Sequence, residues 1–249
     1  MVSIFQEGSL TTISGNMGSG KSDFSNMLSY LALKQGYHIL SNIHLDYDNS
    51  VKELIKFESE FLNSEDIHNL LFGIKQVKHH KSIDDMLKSY HVIHNDIEFL
   101  TEVIKHKKNI LILDETNLFY TSKRALTNDA VLFEMFISTI RKFYCSMILV
   151  IQRYGNFPPM ARELSFCNIS KITIKEGLFE IYPVGKCFTV VNIPKSPIRF
   201  ETHSFSGFDF ELDWLKLISD IKNLSDSEVL TFLRKHAKNN FIQYMYYEK

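Results

Sequence analysis

The sequence predicts an α/β fold with a mainly parallel central sheet flanked by helices, plus a small C-terminal hairpin-and-helices appendage. Three observations predict it. A short β-branched run, Ser9-Leu10-Thr11-Thr12-Ile13-Ser14, leads into a glycine loop and then a helix. Two later runs, Ile110 to Leu113 and Met147 to Ile151, are apolar without alternation, as strands covered on both faces are. Helical patterns separate these runs, so the connections are the right-handed crossovers of a parallel sheet.

The elements follow in order. After the loop, Met27, Leu28, Leu31 and Ala32 share one helical face, and Gly36 stops the helix. Tyr37 to Ile43 reads as the second strand. From Ser50 to Lys108 the pattern is mostly helical, with candidates at Val51–Leu62, Glu65–Phe72, Ser82–Tyr90 and Asp96–Lys105. That stretch exceeds what one crossover needs and predicts a helical insertion over about 50–108. Asn109 to Leu113 is a buried strand with Asp114-Glu115 at its tip. Val131 to Phe143 reads as a helix. Ser146 to Gln152 and Asn168 to Ile174 read as strands. Leu178 to Tyr182, a turn at Gly185-Lys186 and Phe188 to Ile193 predict an antiparallel hairpin. Helices at Glu211–Lys222 and Ser225–Lys238 follow, the second opened by a Ser225/Glu228 capping box. The organisation expected is a core over 1–175 and an appendage over 176–249.

Composition narrows the class. The chain has 249 residues, 45% hydrophobic and 23% charged, which suits one large domain or a domain with a small addition. A net charge of −1 excludes binding of a polyanion by global charge, leaving only local basic patches. Cys145, Cys167 and Cys187 form no C-x-x-C pair, which fits a reducing compartment and argues against a disulfide framework or a zinc site. No apolar run nears the roughly 18 residues of a membrane span. No basic segment with an apolar core opens the chain, so a cytoplasmic protein is expected, in the host cytoplasm or with the virion if viral.

Residues Gly15-Asn16-Met17-Gly18-Ser19-Gly20-Lys21-Ser22 complete the pattern G-x-x-x-x-G-K-[ST]. The glycines let successive backbone N–H groups turn inward around a polyanion. Lys21 brings a point charge to the β and γ phosphates of ATP, and the Ser22 hydroxyl reaches Mg²⁺. The helix that follows adds its positive N-terminal end. Asp114, at the tip of an apolar strand, suits a second contact to Mg²⁺ through its water shell, and Glu115 beside it can deprotonate a water. Gln152 ends the next strand, where an amide can touch both the γ-phosphate and the attacking water. Arg141 lies eleven residues before Gln152, placed to reach a neighbouring subunit's nucleotide. Arg153, Arg162 and Arg124 are further candidates for that work. The bland alternatives are an Asp-Glu turn cap, a polar strand end and a solvated arginine.

Together these segments resemble the FtsK-HerA superfamily of P-loop ATPases, over roughly residues 9–175. The resemblance rests on Gly15 to Ser22, on Ile110 to Glu115, and on Arg141 followed by Gln152-Arg153 and the segment Pro158-Pro159-Met160-Ala161-Arg162. Within it the chain looks most like compact viral and plasmid ATPases, including genome-packaging and Zot-like proteins, the latter through Ser41-Asn42-Ile43. Ile151 departs from the small or hydroxylic residue usual before the glutamine, and the membrane span common in Zot-like proteins is missing. The resemblance implies a RecA/ASCE-like fold and a homo-oligomeric ring, commonly a hexamer, with nucleotide at subunit interfaces and DNA in the pore. Basic runs at Lys75–Lys81 and Lys105–Lys108 are compatible with DNA.

The expected function is therefore ATP hydrolysis driving translocation or packaging of viral or plasmid DNA. The competing readings are a Zot-like ATPase for virion assembly or extrusion, working with capsid or assembly proteins, and a nucleotide-gated DNA-binding switch for replication or partition. A small-molecule kinase ranks below these because the candidate lid region is not arginine-rich.

Overall fold

The computed structural model describes residues 8–61, 82–116, 128–157, 159–171, 179–183, 188–190, 195–205 and 207–245. The helix expected at Glu65–Phe72, the basic run Lys75–Lys81, Arg124, Pro158, the turn at Gly185-Lys186 and Cys187 lie outside them.

Among the described residues, ten strands form two sheets. In chain order they are β1 (Leu10–Gly15), β2 (His38–Ser41), β3 (Ile43–Leu45), β4 (Tyr90–Val92), β5 (Asn109–Leu113), β6 (Cys145–Ile151), β7 (Ser165–Lys171), β8 (Phe179–Pro183), β9 (Phe188–Val190) and β10 (Phe200–Phe205). The main sheet runs β4-β2-β5-β6-β1-β7-β8-β9. Its first six strands are parallel, and β8 and β9 continue it antiparallel as the expected hairpin. The order has a physical consequence. Strand β6 lies between β1 and β5, so the tips of all three converge on one edge, where ligands of open α/β sheets bind.

The apolar runs without alternation become strands buried on both faces. Leu111 and Leu113 face one core layer, while Ile110 and Ile112 face the other. Strand β6 divides likewise, with Met147, Leu149 and Ile151 on one side and Ile148 and Val150 on the other. The helix Lys21–Lys34 (α1) covers the second layer with Phe24, Met27, Leu28 and Leu31. It ends as read. Gly36 adopts φ 78°, its N–H donates to the Leu33 carbonyl at 2.9 Å, and the Tyr37 N–H donates to Ala32 at 3.0 Å.

Three strands were not expected. Tyr90–Val92 falls where the sequence suggested the end of a helix; the helix there stops at Leu87, and β4 pairs with β2 at the sheet edge. The region 50–108 is thus not purely a helical insertion, because it supplies an edge strand. A three-residue strand has too few side chains for period-two alternation to show. Strands β3 and β10 pair antiparallel away from the main sheet, with Leu45 opposite Phe200.

The C-terminal residues are stitched into the main core. Trp214, Leu217 and Ile221 of the helix Trp214–Ile221, and Val229 and Leu233 of Asp226–Ala237, are buried in the same layer as Phe99, Phe136 and Phe143. Phe136 meets Trp214 edge-on at 5.0 Å between centroids. The capping box forms, with the Ser225 N–H donating to the Glu228 carboxylate at 2.8 Å. Among the described residues, no helix is long and apolar enough to cross a membrane.

Candidate nucleotide site

The loop after β1 depends on two left-handed glycines. Gly18 has φ 72° and Gly20 φ 79°, a region that costs an L side chain about 1–2 kcal/mol. Gly20 sits immediately before α1, and its carbonyl accepts the first helical bond, from Phe24 N–H at 3.0 Å. Asn16 closes the loop from the other side. Its carbonyl accepts from the Ser19 N–H at 3.1 Å and from Lys21 Nζ at 2.9 Å. Lys21 is thereby folded over the loop, and Met17 stands exposed at its tip.

Asp114 follows β5 and is buried. One carboxylate oxygen, Oδ1, accepts from the Glu115 N–H at 2.7 Å. The other, Oδ2, is buried without a hydrogen bond among the described residues. Burial pushes the carboxyl's pKa up; the neighbouring Ser22 hydroxyl, the Glu115 N–H and the Lys21 charge pull it down. A buried carboxylate oxygen lacking a donor, beside a hydroxyl, is the donor set a hard divalent cation takes.

Glu115 itself is left-handed, with φ 50°. Its neighbours hold it there. On one side its N–H is tied to Asp114; on the other, Thr116 donates to the Val150 carbonyl from its N–H at 3.2 Å and its hydroxyl at 2.9 Å. Strain fixed by neighbours on both sides is characteristic of functional sites. Gln152 continues β6, and its carbonyl accepts from the Gly15 N–H at 3.2 Å. The amide residue is thus bonded directly to the start of the phosphate loop.

Arg141 stands apart. It is exposed on the 3₁₀ turn Ile140–Phe143, which precedes β6 at the opposite end of the sheet. Strand β6 has seven residues, which separates the two ends by about 23 Å. Arg141 packs beside Gly8, where a Cβ would come within 2.8 Å of the Arg141 Cγ. Arg153 and Arg162 are also exposed, the first next to Gln152 and the second on the helix Pro159–Leu164.

Asn42 was missed as a site residue. Buried between β2 and β3, its Oδ1 accepts from the Asp114 N–H at 2.8 Å and its Nδ2 donates to the Asp114 carbonyl at 3.0 Å. This paired clamp fixes the aspartate's backbone across the strand tips. The available signal was an amide interrupting an apolar strand. Replacing Asn42 by Ala is expected to cost about 1–3 kcal/mol of stability, because two buried backbone groups lose their partners. If Asp114 holds a metal ion, turnover should also drop about tenfold or more, because the support of that ligand is removed. Urea unfolding and steady-state phosphate release check the two effects separately.

Residues 9–199 match the family model for zonular occludens toxin (Zot). Among solved structures, the fold is similar to the genome packaging NTPase B204 of Sulfolobus turreted icosahedral virus 2 in complex with ATP-gammaS. Identity is 16% over 76% of this chain and 100% of that chain, with a TM-score of 0.46. The DNA-packaging ATPase B204 of Sulfolobus turreted icosahedral virus gives 18% over 76% and 99%, TM-score 0.46. The N-terminal domain of zonular occludens toxin from Neisseria meningitidis gives 13% over 76% and 95%, TM-score 0.44. No curated protein matches the chain. The family match covers the phosphate loop, both carboxylates and Gln152, which carried the FtsK-HerA resemblance, and Ser41-Asn42-Ile43, which carried the Zot-like one, and the chain belongs to the zonular occludens toxin (Zot) family.

Proposed function

We propose that this protein is an ATP-hydrolysing motor for virus packaging or assembly, of the FtsK-HerA type, which moves viral or plasmid DNA. The observation that carries the reading is the convergence of the loop Gly15–Ser22, Asp114, Glu115 and Gln152 at one end of the sheet, with Gln152 bonded to Gly15 and one buried Asp114 oxygen without a hydrogen bond among the described residues. The loop N–H groups and Lys21 bind the phosphates of ATP. Ser22 and Asp114 hold Mg²⁺, which when bound neutralises charge on the phosphate oxygens. Glu115 accepts the proton of the attacking water, and Gln152 orients that water.

Arg141 is too far from its own subunit's site to act there, so in this reading it completes the site of a neighbour in a ring, commonly a hexamer. Exposed Lys107 and Lys108 offer phosphate contacts to DNA. The protein would work in the host cytoplasm or associated with the virion.

The decisive measurement is phosphate release with and without linear double-stranded DNA, using Lys21→Ala protein as the blank. DNA should raise turnover several-fold in the wild type and not in the variant. Equal rates with and without DNA sink the translocation reading; hydrolysis by the Lys21→Ala variant at the wild-type rate sinks the motor itself. Membership of the Zot family favours a second reading, in which hydrolysis drives virion assembly or extrusion through protein partners. Stimulation by coat or assembly proteins, with none by DNA, selects it. Mixing Arg141→Ala with Lys21→Ala subunits tests the arginine, and full activity of Arg141→Ala protein alone rules it out.

A further inference from the structure

Three histidines gather where the parallel strands begin, at the opposite end of the sheet from the phosphate loop. His38 opens β2, His91 is the middle residue of β4, and His106 lies in the turn leading to β5. Strand β2 runs between the other two, with Leu40 in register with His91 and His38 in register with Asn109. Their backbones are fixed. The His38 N–H donates to the Lys108 carbonyl at 2.8 Å. The Asn109 side chain ties down the turn, donating to the His106 carbonyl at 3.0 Å and to the Val103 carbonyl at 3.1 Å.

The rings lie nearly parallel. His38 and His106 are 3.5 Å apart between centroids at 10°, and His91 is 5.7 Å from His106 and 6.0 Å from His38. One nitrogen from each ring lies within 4.8 Å of the other two. The Nε2 of His91 is buried with no hydrogen bond among the described residues. All three side chains are half-buried, shielded but reachable from solvent. Among the described residues, no other trio of His, Cys, Asp or Glu side chains comes together this closely.

Imidazole nitrogens are the usual ligands of divalent transition-metal ions; because the rings are stacked, they must turn to aim their in-plane lone pairs at one point.

We propose that His38, His91 and His106 bind a divalent transition-metal ion of the zinc class, with a water completing four-coordination, and that the ion pins the short edge strand β4 to the sheet. Nitrogens held at 2.0–2.1 Å from a tetrahedral ion sit about 3.4 Å apart, so ring rotation must close roughly 1.4 Å at most. An all-imidazole set favours zinc, cobalt, nickel or copper over magnesium, whereas the oxygen set at Asp114 and Ser22 favours magnesium. The two ends of the sheet would therefore select different ions.

The test uses untagged, nucleotide-free protein stripped with EDTA and titrated with Co²⁺. One equivalent should bind with the visible absorption of four-coordinate cobalt. Uptake should be lost in His91→Asn and His106→Asn and kept in Asp114→Asn. At hundredfold excess over Kd, Zn²⁺ should raise Tm by about 5–10 °C in the wild type. Zinc-edge X-ray absorption on the wild-type protein should count three imidazole nitrogens, which keeps the proposal testable even if a variant fails to fold. A wild type without stoichiometric cobalt uptake, an oxygen-only zinc shell, or undiminished uptake in folded His91→Asn and His106→Asn proteins overturns it.

Discussion

Glu115→Gln protein is expected to hydrolyse ATP about 10²–10⁴-fold more slowly than the wild type, while binding ATP within a factor of a few. The substitution keeps the side chain's volume and leaves the Glu115 N–H to Asp114 bond intact, so the geometry around Asp114 is preserved. What it removes is the ability to accept a proton. The backbone offers an independent check. Residue 115 sits at φ 50°, where any L side chain is strained. Glu115→Gly should therefore raise stability by about 1 kcal/mol while abolishing turnover, since glycine relieves that strain. A structural residue would not separate the two quantities in this direction. Phosphate release, fluorescent-nucleotide binding and urea unfolding on the same two variants decide the matter. Half the wild-type rate in Glu115→Gln would remove the base assignment.

The reason Glu115 was legible in the sequence is that its neighbours are. Ile110 to Leu113 is apolar throughout because both sheet faces are covered, so the acids that follow it must lie at a strand tip. The same logic placed Gln152 after Met147 to Ile151. The order of strands was not legible, because nothing in either run states which strand it pairs with; only the structure shows β6 between β1 and β5. Asn42 escaped for a related reason. Its two bonds span 72 positions in sequence, and a lone amide next to a strand is far more often a turn residue than a clamp. The histidine trio is likewise assembled from residues 38, 91 and 106, whose proximity depends on an edge strand too short to read. Helix ends, in contrast, are set by local bonds. Gly36 and the Ser225/Glu228 box were therefore readable as stops and starts.

Beside its apolar packing, the C-terminal segment is joined to the core through one buried acid, Asp96, whose removal should have a large effect on folding. Its side chain is fully buried at the start of the helix Asp96–Val103. It accepts from the Trp214 indole N–H at 2.7 Å, the Glu211 N–H at 3.0 Å and the Leu212 N–H at 3.2 Å. Asp96→Ala strands three buried donors and is expected to cost about 3 kcal/mol or more, a large share of a typical 5–15 kcal/mol domain stability. Burial raises the carboxyl's pKa to about 6 against those three donors, with Glu211 adding repulsion. The sign then follows. Between about pH 4 and pH 6 the folded protein holds a proton on Asp96 that the unfolded chain has released, so this residue's contribution is fully present below about pH 4 and is lost as pH rises through 6. A displacement of about two units corresponds to roughly 3 kcal/mol. Asp96→Asn cannot titrate, so the difference in unfolding free energy between wild type and variant should move by that amount across the window and stay flat above pH 7. Trp214 is the chain's one tryptophan and touches the carboxylate, so its fluorescence follows both the unfolding and the titration. A difference that does not change between pH 4 and 7 would mean that Asp96 is charged throughout. Its three donors would then outweigh its burial.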